Sequence, residues 1–265
     1  MDYPKINDAY ASEQPARGSL LARVSPTLAF YKRMLPIVWH ASKHSRHGAY
    51  DDEAWCEGCW HMIRLIEGLG GQVRAEGIGN FRELDEPCVF ISNHMSTLET
   101  FVMPGFILPH RRVTFVVKRS LVEYPVFKHV MRTREPVVVD REDPKADLKS
   151  VLEGGQERLK RGYSMVVFPQ HTRSAVFEPE QFNTIGVKLA RRAGAPIVPL
   201  ALKTNAWENG KLIKDFGRFH PERPVHFAFG EPMRVQGNGR EEHEKVVAFI
   251  EDTLARWRGE DGPVG

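Results

Sequence analysis

The chain has 265 residues, 42% of them hydrophobic and 27% charged, enough to bury a sizeable core in one large domain or two small ones. Against 34 Asp and Glu stand 37 Lys and Arg, a net charge of +3; this is far from the strongly basic signature of a nucleic-acid binder and compatible with either an anionic membrane or a soluble life. No uninterrupted run of about 18 apolar residues predicts a transmembrane helix, Met1-Asp2-Tyr3-Pro4-Lys5 lacks the layout of a secretory signal, and Cys56, Cys59 and Cys88 alone suit a reducing, cytosolic compartment better than a disulfide framework.

Residues 1–18 are polar, carry Pro4, Pro15 and Gly18, and read as a loosely ordered arm. Residues 20–47 are apolar and basic together, and Pro26 and Pro36 are expected to break or kink them into short helices. Asp51-Asp52-Glu53 opens a second helix that runs to about Leu69 and stops at Gly70-Gly71, with acid at the positive end of the helix dipole and glycine at the cap. Beyond it, strands are predicted over 72–76, 88–92, 112–117, 136–139, 164–168, 197–201 and 224–229, and helices over 97–108, 124–131, 145–161, 184–193 and 241–258. This alternation predicts an α/β fold, a mainly parallel mixed sheet covered by helices on both faces. The division expected is an N-terminal arm with a helical pair over 1–70 and an α/β domain over 71–265, with a frayed tail from Gly259.

Two blocks carry the chemistry. Asn93-His94-Met95-Ser96-Thr97-Leu98-Glu99 follows the apolar run Cys88-Val89-Phe90-Ile91, and Phe168-Pro169-Gln170-His171-Thr172-Arg173-Ser174 follows Met165-Val166-Val167. Each is a short buried strand that empties into a polar loop, where α/β folds place their chemistry. A histidine with a carboxylate five residues on, plus hydroxyls around an arginine, is the minimum equipment for acyl transfer onto a phosphorylated alcohol. His94 reads as the general base, its ordinary pKa lying close to the working pH; alone, it would read as a loop histidine bonded to a carbonyl. Glu99 has two readings. Ser96-Thr97-Leu98-Glu99 is a capping box, and the same carboxylate is placed to orient His94. Five residues on a helix turn through about 500°, so His94 must sit in the loop ahead of the helix. Arg173, with Thr172 and Ser174, reads as an anchor, because a guanidinium grips phosphate through paired hydrogen bonds. Arg141 and Lys118 are further candidates for that anionic site, against the plain alternative of a solvated charged turn. Cys56 and Cys59, with His44 and His47, have spacing compatible with zinc; buried small residues on a helix are the preferred reading, and no metal is assigned.

Taken in order, the blocks resemble the glycerolipid acyltransferase family, best known from the lysophosphatidic acid acyltransferases. The family's Asn-His-x4-Asp block is matched by Asn93, His94 and Glu99, and its Phe-Pro-Glu-Gly-Thr-Arg-Ser block by Phe168, Pro169, Thr172, Arg173 and Ser174. Residues 118–141, closed by Arg141, look like the second block, and 195–202 look like the fourth. Three positions depart: Glu99 for the usual aspartate, Gln170 for glutamate and His171 for glycine. The family's lipid A branch also tolerates glutamate at the first of these.

The resemblance implies transfer of a fatty acyl group from a thioester, acyl-CoA or acyl carrier protein serving as co-substrate without a further cofactor, to the hydroxyl of a lysophospholipid or related anionic polar lipid. His94 would be the base and Glu99 its orienter. Arg173, Thr172, Ser174, Gln170, His171, Arg141 and Lys118 would surround the acceptor. The N-terminal helices resemble the amphipathic docking pair of bacterial members, implying an anionic membrane surface as partner and peripheral attachment at the cytoplasmic face. Gln170 is expected to relieve Arg173 of a competing carboxylate. The rival reading is a lipid-binding relative without turnover, which Gln170 and His171 would signal and the retention of His94 and Glu99 opposes.

Overall fold

In a computed structural model, residues 4, 6–13, 20–124, 127–170, 172–211 and 213–261 are described. Among them the strands are β1 (Tyr10–Ala11), β2 (Val73–Glu76), β3 (Val89–Ser92), β4 (Val113–Lys118), β5 (Val137–Val139), β6 (Ser164–Val167), β7 (Ile197–Lys203) and β8 (Val225–Phe229). They form one sheet in the order β1-β2-β8-β7-β3-β6-β4-β5. From β7 through β3, β6 and β4 to β5 every neighbour is parallel. β8 runs antiparallel to β7 and parallel to β2, and β1 closes the edge antiparallel to β2. The sheet is therefore mixed and mainly parallel.

Strand alternation shows how both faces are covered. Ile91 of β3 lies against Gly186 of α10 (Ile185–Ala193), while its neighbour Phe90 meets Phe81 of α4 (Ile78–Arg82) on the other side. On β8, His226 stacks on Trp257 of α11 (Arg240–Asp261), whereas Phe227 meets Phe106 of α6 (Pro104–Ile107). Helix α9 (Pro144–Lys160) packs beside α10, its Gly155 against Leu189. On the opposite face α3 (Asp52–Gly68) packs on α6, with Gly105 in contact with Cys59. Cys56 and Cys59 are thus buried small residues at a helix crossing, and among the described residues no group of metal-ligating side chains gathers. Strands buried on both faces are largely apolar, and β3, β6, β7 and β8 are buried at every residue, the polar Ser92, Ser164, Lys203 and His226 included.

Several expectations need correction. The arm is not uniformly loose: Tyr10 and Ala11 pair with β2, and Val73 donates to the Ser12 hydroxyl at 2.8 Å, covering the open sheet edge. Pro36 does not divide the N-terminal region, because α2 (Pro26–Arg46) passes through it after the short α1 (Leu20–Val24). Pro26 occupies the first turn, where no N–H is missed, and Pro36 lies on the exposed face, where water can take the carbonyl it leaves unpaired. The helix expected over 97–108 splits into α5 (Leu98–Val102) and α6, with Pro104 beginning the second piece. An unforeseen α7 (Arg119–Glu123) precedes α8 (Phe127–Thr133), and α11 runs past Gly259 to Asp261, whose buried carboxylate is held by Lys203 and His226. Phe30 and Met34 of α2 and Trp60 and Ile63 of α3 belong to the same continuous buried cluster as the sheet. The chain turns at residue 70 without interrupting that core.

Candidate active site

Because β3, β4, β5, β6 and β7 are parallel, their C-terminal ends open at one edge, the usual place for a site in such a sheet. There β3 delivers Asn93 and His94, β6 delivers Phe168 to Gln170 and, beyond them, Thr172 to Ser174, β4 ends at Lys118, β5 leads to Arg141, and β7 leads to Thr204. Asn93 extends the ladder beyond the last β3–β7 pair: its amide donates to the Leu202 carbonyl at 2.8 Å and accepts from the Leu202 N–H at 2.9 Å. His94 is held on both backbone sides by the β6 loop. Its N–H donates to Gln170 Oε1 at 2.7 Å, and its carbonyl accepts from the Ser174 N–H at 2.9 Å. The imidazole lies nearly flat on the Phe168 ring, 4.3 Å between centroids.

Glu99 is fully buried. A carboxylate taken from water needs hydrogen bonds in compensation, and this one has them. Oε1 accepts from His94 Nδ1 at 2.6 Å and from the Met95 N–H at 2.9 Å. Oε2 accepts from the Ser96 N–H at 2.9 Å, and from the Ser96 and Thr204 hydroxyls. Those hydroxyls also touch each other at 2.9 Å, and Ser96 Oγ accepts from the Leu98 N–H at 3.1 Å. The capping and orienting geometries are therefore both present, on different lone pairs of one carboxylate. With Nδ1 facing Glu99, Nε2 is the nitrogen left to take a proton, and the side chain keeps 17% exposure for access.

Arg173 is not held in the manner expected. Its Nη1 pairs with Asp215 Oδ1 at 2.7 Å and also bonds the Thr97 hydroxyl, which donates to the same Asp215 oxygen at 3.0 Å. Gln170, expected beside the headgroup as a neutral stand-in for glutamate, is buried and its carbonyl oxygen is committed to His94. A carboxylate does stand beside Arg173, supplied by Asp215 from the 204–224 connection. The Ser174 hydroxyl accepts from the Val176 N–H at 3.2 Å within its own turn, and Thr172 is exposed, its hydroxyl bonded by Lys214 at 2.7 Å. His171 lies outside the described residues.

Arg141 has a left-handed φ of 64°, in a turn fixed by Asp147, which accepts from the N–H groups of Asp140 and Arg141 at 2.9 and 2.8 Å. Desolvation pushes its guanidinium pKa below the ordinary value; Asp147 opposes this and the charge of Arg173 adds to it. Lys118 is exposed and stands opposite Val139 in the register, at the same edge as Arg141. Thr204, Asn209, Lys214 and Asp215 carry no recognisable motif. Their one sequence signal is the long stretch between the strands predicted over 197–201 and 224–229, the kind of connection that is often functional. Asn209 donates to the Met95 carbonyl at 3.0 Å, fastening this connection to the His94 turn.

The Acyltransferase family model matches residues 72–203, which span β2 to the end of β7 and contain His94, Glu99 and Arg173. The 1-acyl-sn-glycerol-3-phosphate acyltransferase of Pseudomonas aeruginosa is 32% identical over 243 residues, 90% of this chain and 84% of that relative. The chain belongs to the acyltransferase family. It is accordingly an O-acyltransferase. The 1-acyl-sn-glycerol-3-phosphate acyltransferase of Cocos nucifera is 26% identical over 187 residues, 69% of this chain and 56% of the relative. The crystal structure of the 1-acyl-sn-glycerophosphate (LPA) acyltransferase, PlsC, from Thermotoga maritima shares the fold, with a TM-score of 0.64 at 21% identity, covering 88% of this chain and 94% of that one.

Proposed function

We propose that this acyltransferase moves a fatty acyl group from a thioester, acyl-CoA or acyl carrier protein, to the hydroxyl of a lysophospholipid or related anionic polar lipid, 1-acylglycerol 3-phosphate foremost. The observation that carries this reading is the pairing of His94 with a buried, fully bonded Glu99 at the same sheet edge as Arg173 and Arg141. The acceptor hydroxyl donates to His94 Nε2. As its oxygen attacks the thioester carbonyl the proton passes to Nε2, and Glu99 stabilises the imidazolium through Nδ1. Collapse of the tetrahedral adduct breaks the carbon–sulfur bond, and the departing thiolate takes the proton back, leaving ester and thiol. A thioester is already activated, so direct attack requires neither an acyl-enzyme nor a cofactor. Glu99, with no exposed surface, acts through the imidazole and never touches substrate.

Attachment to the membrane is proposed to be peripheral, at the cytoplasmic face, in keeping with the P. aeruginosa relative's lipid acceptor. Among the described residues no helix is long and apolar enough to cross a bilayer. Val24, Leu28, Leu35 and Trp39 are exposed along α1 and α2, flanked by exposed Arg23, Lys32, Arg33, Lys43 and Arg46, a surface fit for an anionic interface.

Mass spectrometry of products from purified protein, with acyl-CoA or acyl carrier protein and a panel of phosphorylated and phosphate-free acceptors, tests the assignment. Steady turnover on anionic acceptors is expected, and Arg173→Ala should raise their KM at least roughly tenfold while affecting neutral acceptors less. Binding without turnover across the panel would favour the inactive lipid-binding reading. An Arg173→Ala effect equal on all acceptors would remove the anchor role.

A further inference from the structure

We infer that Asp215 is a positioning residue of the acceptor site, fixing the guanidinium of Arg173 so that its outer edge is presented to an anionic headgroup. The inference rests on the reading of Arg173 as the anchor. Every hydrogen bond that Arg173 makes among the described residues passes through Nη1, to Asp215 Oδ1 at 2.7 Å and to the Thr97 hydroxyl, and Thr97 closes the triangle by donating to Asp215 Oδ1 at 3.0 Å. A carboxylate that served as a mere stand-in for the headgroup would take the two-nitrogen grip that guanidinium offers. Asp215 takes one nitrogen and leaves the edge made by Nε and Nη2, the edge able to hold a phosphate through parallel bonds.

The support behind Asp215 is built for orientation. Immediately after it in the chain, the 204–224 connection is tied to α2: the Tyr31 hydroxyl donates to the Gly217 carbonyl at 2.8 Å, Phe216 stacks on Tyr31, and the Phe219 N–H donates to the Thr27 hydroxyl at 3.1 Å beneath a Phe30–Phe219 stack 4.3 Å apart. Thr97 stands at the start of α5, the helix whose Glu99 holds His94. One short turn thereby sets the base through Glu99 and the anchor through Thr97 and Asp215, which fixes the distance between reacting hydroxyl and headgroup. Such supporting contacts decide whether a site holds its geometry.

The experiment is a double-mutant cycle on the full chain, with KM and kcat measured for 1-acylglycerol 3-phosphate and for a phosphate-free monoacylglycerol. Asp215→Asn should raise the KM of the phosphorylated acceptor roughly tenfold, with a smaller change in kcat and little effect on the neutral acceptor. In an Arg173→Ala background it should add nothing, because nothing remains to orient. Thr97→Val reads the same triangle from its other corner and should behave alike if Asp215→Asn does not fold; Asp215→Glu should restore part of the loss. A lower KM in Asp215→Asn would show the carboxylate competing with the headgroup, and an unchanged KM or full additivity with Arg173→Ala would also overturn the inference. If Arg173→Ala itself leaves KM unchanged for the phosphorylated acceptor, the anchor reading fails before this one.

Discussion

Two connections meet over His94, and they were written into the chain in different ways. The turn after β3 carries its instructions locally: Glu99 bonds Met95, Ser96 and His94, all within five residues. The 204–224 connection reaches the same place from more than a hundred residues away, through Thr204 to Glu99, Asn209 to Met95 and Asp215 to Thr97. The first needs fixed residue types at fixed spacing and so reads as a motif. The second needs only that some donor or acceptor arrive at the right point, which a loop of varied sequence can supply. The match to the family model follows the same division, ending at Lys203, one residue before Thr204.

The sharpest way to break this comparison is at its local half. His94→Ala should cost about 10² to 10⁴ in kcat with the fold retained, the usual value of a positioned base; more than half the wild-type rate in a folded variant would end the mechanism. Glu99→Gln should lose more activity than Glu99→Asp if charge beside the imidazole matters. If the amide matches wild type in steady-state assays, capping alone accounts for the residue.

The outer face of α2 comes next in expected size. Its inner face holds the distal connection through Thr27, Phe30 and Tyr31, and Phe30 and Met34 are part of the continuous core. Removing the first 70 residues would therefore damage the fold and the site together. Leu35→Ser with Trp39→Ser, at residues 52% and 65% exposed, spares both. Flotation with anionic liposomes should show binding reduced on the order of tenfold or more, since each side chain forfeits apolar burial in the interface. Unchanged binding, with activity intact, would return this face to a purely structural role.

Much of the fold was legible because its signals are short-range. Short runs rich in β-branched residues, such as Val89-Phe90-Ile91 and Ile197-Val198, favour strands buried on both faces, and Asp143-Pro144 and Gly194 mark the ends of helices by their chemistry. The errors came where tertiary context decides. Pro36 sits harmlessly on a wet helix face, Tyr10 pairs with a strand edge it could not announce, and Asp261 is ordered by partners on β7 and β8. At the candidate site the spacing of His94 and Glu99 made their pairing legible, whereas the Asp215 partner of Arg173 left no signal. Gln170 was misplaced because its partner is a backbone N–H, which leaves no trace in side-chain chemistry.

Thr204 tests the distal half at the base itself. Thr204→Val keeps the shape and removes the hydroxyl that reaches Glu99 Oε2, leaving Ser96 to hold that oxygen alone. A loss of roughly tenfold in kcat is expected, about the value of one hydrogen bond to a charged group, with acceptor KM less affected. Thr204→Ser should recover most of it. An equal rise in KM, or no recovery by serine, would mean that the residue merely packs.

The smallest effect lies at the root of the distal connection, where Lys203 and His226 stand opposite each other in the β7–β8 register and both meet the buried Asp261 of α11. Burial lowers the pKa of His226 below its ordinary 6.5; Asp261 pulls it upward, while Lys203 and Arg74 add to the lowering. The folded state therefore binds fewer protons than the unfolded state just below pH 6.5. Stability from this group is complete above the unfolded value, declines as pH falls through 6.5 toward the folded pKa, and is flat below it. His226→Gln keeps a donor for Asp261 and removes the titration. Thermal unfolding between pH 8 and 5 should show a shallower acid decline in this variant than in wild type, the difference amounting to at most a few degrees in Tm. Burial also lowers the pKa values of His110 and His243, so part of the decline should persist. Parallel curves for the two proteins would mean that protonation of His226 is not coupled to folding, and that Lys203 and Asp261 hold the end of α11 to the sheet without it.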